Sequence, residues 1–561
     1  MMDGCQPWPL ELAESYRAAG YWRDRTLGDE LTAWAGRHRE RIALVDGDRR
    51  WSYSQVDAAA DGLAGGLQRQ GINAGDRVVV QLPNIAEFVV ACFALFRLGA
   101  LPVLALPNLR IEEIAHLCEL SEAVGYLTVD TYASFDYREL ARQLCPAPRH
   151  VLILGDAEEF TSLAELIIDG AEGLAPAYRP NPGDVALFLL SGGTTALPKL
   201  IPRTHNDYEY NLRASAQVCG LDESSVYLAA LPVAHNFALG CPGVLGTLHA
   251  GGTVVFAPNP SPPEAFPIIE RERATITALV PPLALLWTTA TQWVPADLSS
   301  LRVLQVGGAK LGAQSARRIL DTFGCQLQQV YGMAEGLLNY TRLDDPESIV
   351  VSTQGRPLSP ADEIRIVDEW DLDVEPGQTG ELLTRGPYTL RGYYRADSHN
   401  ATAFTSDGFY RSGDLVRRTP TDYLVVEGRL KDVINRGGEK VSAAEVENHL
   451  LTHPAVQDAS VAAVPDDRLG ELTCAFIIPS GKAPTLRELT AFLHNRGLAA
   501  YKHPDRLEIL TVWPVTTAAG KVDKKKLLAA FHIPPRAEVK AHSTAEQPHG
   551  TSVTPSTIHL R

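Results

Sequence analysis

The chain has 561 residues, 45% hydrophobic and 21% charged, with a formal net charge of −16. That composition supports large apolar cores and excludes a disordered or fibrous protein. The acidic balance disfavours nucleic acid or an anionic membrane as the main partner, and the length predicts two to four domains.

Taken in chain order, the first 22 residues carry Asp3, Glu11 and Glu14 and no apolar run, so no signal peptide is expected. Residues 54–57 read as a capping box, followed by Val56, Ala59, Ala60, Leu63 and Leu67 at helical spacing. Residues 77–82, 149–154, 185–190 and 301–306 are short, β-rich apolar runs, and helical patterns cover 87–98 and 313–323. The apolar stretch 88–106 is interrupted by Arg97, Gly99 and Pro102. It predicts a helix ending near Gly99 and then a buried strand, not a membrane span. Strands alternating with helices predict α/β architecture with largely parallel, covered sheets.

From about residue 432 the pattern changes. A helix at 443–451, strands at 459–464 and 473–478, a helix at 485–496 and a strand at 506–510 make a separate small α+β unit. The Ser-, Thr-, His- and Pro-rich end predicts a disordered tail, giving segments 1–430, 431–535 and 536–561. The eight cysteines are scattered without a CxxC pair, which excludes a disulfide framework and zinc spacing and fits a reducing, cytoplasmic setting.

Four motifs carry candidate chemistry. SGGTTALPK (191–199) follows a buried-strand pattern. Its glycines allow backbone N–H groups to converge on phosphate, Ser191, Thr194 and Thr195 add hydroxyls, and Lys199 adds charge. The same composition also fits a flexible polar loop, and the Walker pattern is absent. QVGGA (305–309) and QVYGMAE (329–335) are strand-like segments ending in small residues, suited to holding a flat ring, with Glu335 just beyond as a candidate Mg²⁺ ligand or a solvated loop carboxylate. RSGDL (411–415) and EGRLKDVINRGGEK (427–440) offer Asp414 and Arg429 for ribose and phosphate, or a turn aspartate and surface basic residues. GKVDKKKL (520–527) offers an ammonium from a polar loop, or the basic first turn of a surface helix.

In this order and together, these phrases resemble the adenylate-forming superfamily of acyl-CoA synthetases, peptide-synthetase adenylation domains and luciferases over about residues 25–530. The resemblance implies an ATP- and Mg²⁺-dependent ligase with a large N-terminal domain of packed sheets and helices and a small mobile α+β C-terminal domain. It places Ser191, Gly192, Gly193, Thr194, Thr195 and Lys199 on the β- and γ-phosphates. Gly307, Gly308, Ala309, Val330 and Tyr331, continuing through Gly332, Met333 and Ala334, form the adenine slot. Asp414 and Arg429 hold the ribose, and Glu335 the Mg²⁺. Lys521 bridges the reacting carboxylate and the α-phosphate, Lys431 occupies the hinge position, Lys440 counts among the nucleotide-binding groups, and the Arg436–Lys440 loop swings toward a thiol tunnel.

For the acid, His235 and Asn236 are adjacent polar residues amid apolar ones, which would need partners if buried. AHNFALGCPG (234–243) with GMAEGLLNYTRLDD (332–345) resembles the stand-alone aryl-acid adenylating enzymes of siderophore and related nonribosomal pathways. By that resemblance Asn236, Phe237, Cys241, Gly307, Gly308 and Leu338 face the aryl acid, and His235 stands with the catalytic groups. The neutral Asn236 disfavours α-amino acids, whose cation would lack a counter-charge. Phe237 and Cys241 favour salicylate, or 6-methylsalicylate, over 2,3-dihydroxybenzoate, although Cys241 also reads as a small buried hydrophobe. An aryl carrier protein with a phosphopantetheine thiol is the expected acceptor, and coenzyme A the alternative.

Overall fold

The computed structural model describes residues 2–169, 179–191, 197–437, 439–466, 468–514 and 522–531. Most of them form a large N-terminal α/β domain, and the rest a small C-terminal one.

Two large sheets organise the N-terminal domain. In the nine-stranded one, Ile42–Asp46, Thr253–Phe256, Val226–Ala229, Ile276–Leu279, Val303–Gly307 and Gln326–Met333 run parallel side by side. In the seven-stranded one, Val185–Leu190, Leu101–Leu104, Arg77–Gln81, Gly125–Val129 and His150–Leu154 do the same, and Leu200–Thr204 closes one edge antiparallel. Their β-branched, apolar runs are buried on both faces, as helix-covered parallel sheets require.

The helix Ala86–Leu98 shows how the sequence builds this core. Its residues are buried except Arg97, and it ends where Gly99 takes a left-handed φ of 74°. Each fully buried Val, Leu or Phe contributes about 1.5–3 kcal/mol. Arg97 is accommodated by ion pairs to Asp57 and to Asp61, the latter at 2.6 Å. The apolar run is therefore core, as expected, and no described helix is long and apolar enough to cross a membrane. All eight cysteines are free.

Two expectations need correction. The capping box lies two residues earlier than 54–57: Ser52 Oγ accepts from Gln55 N and the Gln55 side chain accepts from Ser52 N, so the helix is Tyr53–Arg69. Parallel pairing is also not general. Glu363–Val367, Thr379–Arg385, Tyr410–Arg418 and Leu424–Arg429 form an antiparallel sheet, in which a tight turn at 419–423 joins the last two strands and a longer segment carrying the helix Asp397–Ala403 joins the middle two.

The small domain follows a one-turn 3₁₀ segment, Leu430–Asp432. Its strands Val433–Arg436, Glu439–Ser442, Val456–Asp466, Gly470–Pro479 and Arg506–Ile509 carry the helices Ala443–Leu450 and Leu486–Asn495. Ile434, Val446, Leu450, Val461, Leu489 and Leu493 give it a core of its own. The region 436–440 expected as a loop is the tip of a hairpin between the first two strands. The expected disordered tail, 536–561, lies outside the described residues.

Candidate functional site

The parallel register sets Gly307 beside Val330 at the strand ends of the nine-stranded sheet. A Cβ at Gly307 would stand 2.7 Å from the Val330 carbonyl oxygen and 3.0 Å from the Phe237 ring, so only glycine lets that ring lie over the strand. Gly308 has a φ of +82° and turns the chain toward Ala309 and Lys310. Lys310, which the motif reading passed over, forms an ion pair with Glu427 at 3.6 Å.

Antiparallel register places Asp414 directly opposite Arg429. The Arg429 guanidinium lies 2.9 Å from Asp414 Oδ1, and the Tyr331 hydroxyl donates to Asp414 Oδ2 at 2.7 Å. Asp414 is buried while Arg429 remains half exposed. The carboxylate raises the guanidinium's pKa. One carboxylate thus ties the end of the nine-stranded sheet to the antiparallel sheet and holds a basic group at the surface.

Ser191 and Lys199 close the base of the Gly-rich segment. Ser191 N donates to Lys199 O, and Lys199 N to Ser191 Oγ, each at 3.0 Å. Gly192, Gly193, Thr194, Thr195 and the distant Lys521 lie outside the described residues. The Lys199 ammonium stands 5.3 Å from the Tyr393 ring centre. Tyr393 in turn donates its hydroxyl to Glu335 Oε1 at 2.8 Å and lies 2.9 Å from the Tyr410 hydroxyl. Since its single proton goes to the carboxylate, Tyr410 donates to the Tyr393 oxygen.

Glu335 is buried, and burial pushes its carboxyl above the usual range. A cation bound mainly by phosphate oxygens and water needs about one protein carboxylate. Among the described residues there is no cluster of three His, Cys, Asp or Glu able to hold a metal. A single carboxylate whose charged form burial opposes, in spite of the Tyr393 hydrogen bond and the charge of Arg429, fits such a cation.

Beside this lies a third group, on the short helix Asn236–Gly240. His235 is its N-cap: it is exposed, and its Nδ1 accepts from Phe237 N at 3.2 Å. Of the two adjacent polar residues only Asn236 is buried and so needs buried partners, because the capping residue sits before the first turn. Asn236 Oδ1 accepts from the Tyr208 hydroxyl at 2.8 Å, and its Nδ2 lies 3.4 Å from Cys241 Sγ. Burial raises the Cys241 thiol's pKa to about 12, so the thiol is neutral and weakly hydrogen-bonding. Leu338 is buried, and a Cβ at Gly332 would come within 2.4 Å of its Cδ2. Its backbone N donates to the Tyr388 hydroxyl at 3.0 Å, which fixes that wall.

Ala334 O accepts from the buried Arg203 at 3.1 Å, so the backbone next to Glu335 is also held. Lys431 sits in the 3₁₀ turn between the domains. Lys440 is exposed and reaches Glu369 at 3.2 Å. Tyr208, Tyr393 and Tyr410 belong to no phosphate or aryl motif. Tyr208 lies in a helix, His205–Val218, whose polar residues are buried along with its apolar ones, so its sequence carries no local signal for that role.

The arrangement offers a slot for a flat ring at two strand ends, a carboxylate–guanidinium pair tied to it through Tyr331, and a buried carboxylate just after one of those strands. The AMP-binding enzyme model matches residues 31–394, and the AMP-binding enzyme C-terminal domain model matches residues 445–521. The chain belongs to the AMP-binding enzyme family. Within that family it is 58% identical to the 2,3-dihydroxybenzoate-AMP ligase of Bacillus subtilis, covering 95% of this chain and 98% of that protein. It is 50% identical to the salicyl-AMP ligase / salicyl-S-ArCP synthetase of Mycobacterium tuberculosis, covering 95% of each. The solved apo structure of Mycobacterium smegmatis MbtA superposes with a TM-score of 0.74 at 52% identity, covering 94% of this chain and 98% of that one. The family's two-domain fold is the one described above.

Proposed function

We propose that this enzyme joins salicylate to ATP, forming salicyl-AMP and pyrophosphate, and then passes the acyl group to a thiol with release of AMP. The salicylate carboxylate attacks the α-phosphorus, and the bond to the pyrophosphate oxygen breaks. In the second step the thiol sulfur attacks the acyl carbon, its proton goes to solvent and AMP leaves with the bonding pair.

The roles follow from the chemistry of each group. The adenine lies between the Gly307–Ala309 turn and the Val330–Ala334 segment. Asp414 accepts from ribose hydroxyls, and Arg429 donates beside it. Ser191, Lys199 and the intervening 192–195 segment take the β- and γ-phosphates. Glu335, with phosphate oxygens, would hold Mg²⁺, which when bound offsets charge on the polyphosphate. Lys521 supplies positive charge where two anions meet. The N-cap geometry gives His235 a share in building the acid pocket through Phe237 N.

We place the division between the domains at 430/431, with Lys431 at the hinge and the small domain turning between the two steps. An aryl carrier protein's phosphopantetheine is the thiol we favour over coenzyme A. The relatives' names, a salicyl-S-ArCP synthetase among them, support that choice.

The observation that carries the salicylate reading is the Phe237 ring over Gly307 with the Asn236 amide and the neutral Cys241 thiol beside it. A ring hydroxyl at the 3-position would meet an aromatic edge and a weak partner. That costs about 1–3 kcal/mol, or roughly ten- to a hundredfold. The relative named for 2,3-dihydroxybenzoate makes that acid the second reading. The double variant Phe237→Tyr, Cys241→Ser is expected to raise the use of 2,3-dihydroxybenzoate relative to salicylate by about tenfold or more. The kcat/KM ratio from ATP–pyrophosphate exchange measures it, and an unchanged ratio would remove the assignment of these two side chains to the ring's 3-position.

A further inference from the structure

We infer that Tyr208 is a specificity-determining positioning residue. By holding the Asn236 amide in one orientation, it makes the pocket accept an ortho-oxygen and reject an ortho-amino group. This rests on the aryl-acid reading above and deepens it.

The argument starts from two buried groups. Tyr208 is fully buried, and burial keeps its phenol protonated far above the ordinary range. A buried O–H has to find an acceptor, and here that acceptor is Asn236 Oδ1 at 2.8 Å. Gly240 is what allows the approach, since a Cβ there would stand 2.8 Å from the Tyr208 oxygen. The neighbouring Asn211 donates its Nδ2 to Gly240 O at 2.6 Å, and the Tyr208 proton goes to Asn236 Oδ1 rather than to the Asn211 side-chain oxygen. The helix His205–Val218 thus presents two polar side chains to the short helix Asn236–Gly240, one fixing its backbone and the other the Asn236 amide.

With Oδ1 committed to Tyr208, Asn236 presents its NH₂ on the side of Cys241 and the acid. An NH₂ group only donates, so it recognises an acceptor. The ortho-hydroxyl of salicylate donates its own proton to the adjacent carboxylate and turns lone pairs outward. The ortho-amino group of anthranilate delocalises its lone pair into the ring and turns N–H outward. Salicylate is therefore matched, whereas anthranilate sets donor against donor in a buried site and leaves both unpaired. The two acids have nearly the same size, so packing against Phe237 does not separate them.

The test is ATP–pyrophosphate exchange with salicylate and anthranilate, comparing wild type with Tyr208→Phe and, separately, Asn236→Asp. Removing the phenol frees the amide to turn its oxygen toward the ring. Tyr208→Phe should then lower the salicylate-to-anthranilate kcat/KM ratio by about tenfold or more, mainly through a fall in KM for anthranilate. Asn236→Asp, which has acceptors only, should move the ratio the same way without Tyr208 being touched. An unchanged ratio in Tyr208→Phe, or an equal loss with both acids, would overturn the inference while leaving the aryl-acid reading in place. If Tyr208→Phe does not fold, an unchanged ratio in Asn236→Asp overturns it instead. Wild-type enzyme that exchanges with neither acid would remove the reading and the inference together.

Discussion

Replacing Lys521 by alanine is expected to slow adenylate formation by about a hundred- to a thousandfold while leaving ATP affinity almost unchanged. Formation of the mixed anhydride drives a carboxylate onto a phosphate ester that is itself negative. An ammonium between them strengthens its contacts as charge builds on the α-phosphate oxygens, so its contribution appears in the transition state more than in the bound ground state. The two chain ends that flank residues 515–521 meet, with Asp523 N donating to Pro514 O at 2.7 Å. Lys524 adds a bond to the carbonyl of Val461 at 2.8 Å and an ion pair with Glu447 at 3.2 Å. Pro514 and Asp523, on either side of the segment that carries Lys521, are thus held on the small domain, and we expect Lys521 to reach the site only with that domain. ATP binding by equilibrium dialysis and single-turnover formation of aryl-AMP separate the two quantities. An equal loss of both would contradict the role.

The second large effect is expected at Glu335. Glu335→Gln should raise the Mg²⁺ concentration needed for half-maximal pyrophosphate exchange by about tenfold or more. The rate should recover in part as Mg²⁺ is raised. The variant should also weaken Mn²⁺ binding in the presence of a non-hydrolysable ATP analogue, measured by electron paramagnetic resonance without turnover. The structural reason is that Glu335 is a buried carboxylate whose charged form is opposed by burial. A bound cation offsets that cost beyond what the Tyr393 hydroxyl supplies. By the same reasoning the glutamine variant should be no less stable to heat than the wild type, since it removes a desolvation cost. A rate loss that is the same at every Mg²⁺ concentration, with Mn²⁺ binding intact, would contradict this account.

How much of this was legible in the sequence depended on whether local chemistry or tertiary contact made the feature. The helix Ala313–Phe323 and the strand Val185–Leu190 were read with their observed bounds, because periodicity and turn residues determine them locally. The antiparallel sheet that carries Asp414 and Arg429 was not separated from the parallel ones, since pairing direction follows from connections rather than from the composition of a strand. The glycines at 307 and 332 were visible as small residues. What they make room for, the Phe237 ring and the Leu338 side chain, is non-local. His235 and Asn236 looked alike in sequence, yet one helical turn exposes the first as a cap and buries the second. Tyr393 lies 58 residues from Glu335, and no spacing rule would join them.

The measurement that bears most directly on the central claim is ATP–pyrophosphate exchange by the wild-type chain with salicylate, 6-methylsalicylate, 2,3-dihydroxybenzoate, benzoate, anthranilate and a set of α-amino acids. The account predicts strong exchange with salicylate and its 6-methyl derivative, weaker exchange with 2,3-dihydroxybenzoate, and little with benzoate, anthranilate or the amino acids. Exchange driven by an amino acid, or by none of the aryl acids, would contradict it, because the neutral Asn236 and the Phe237–Cys241 wall would then have been assigned to the wrong substrate.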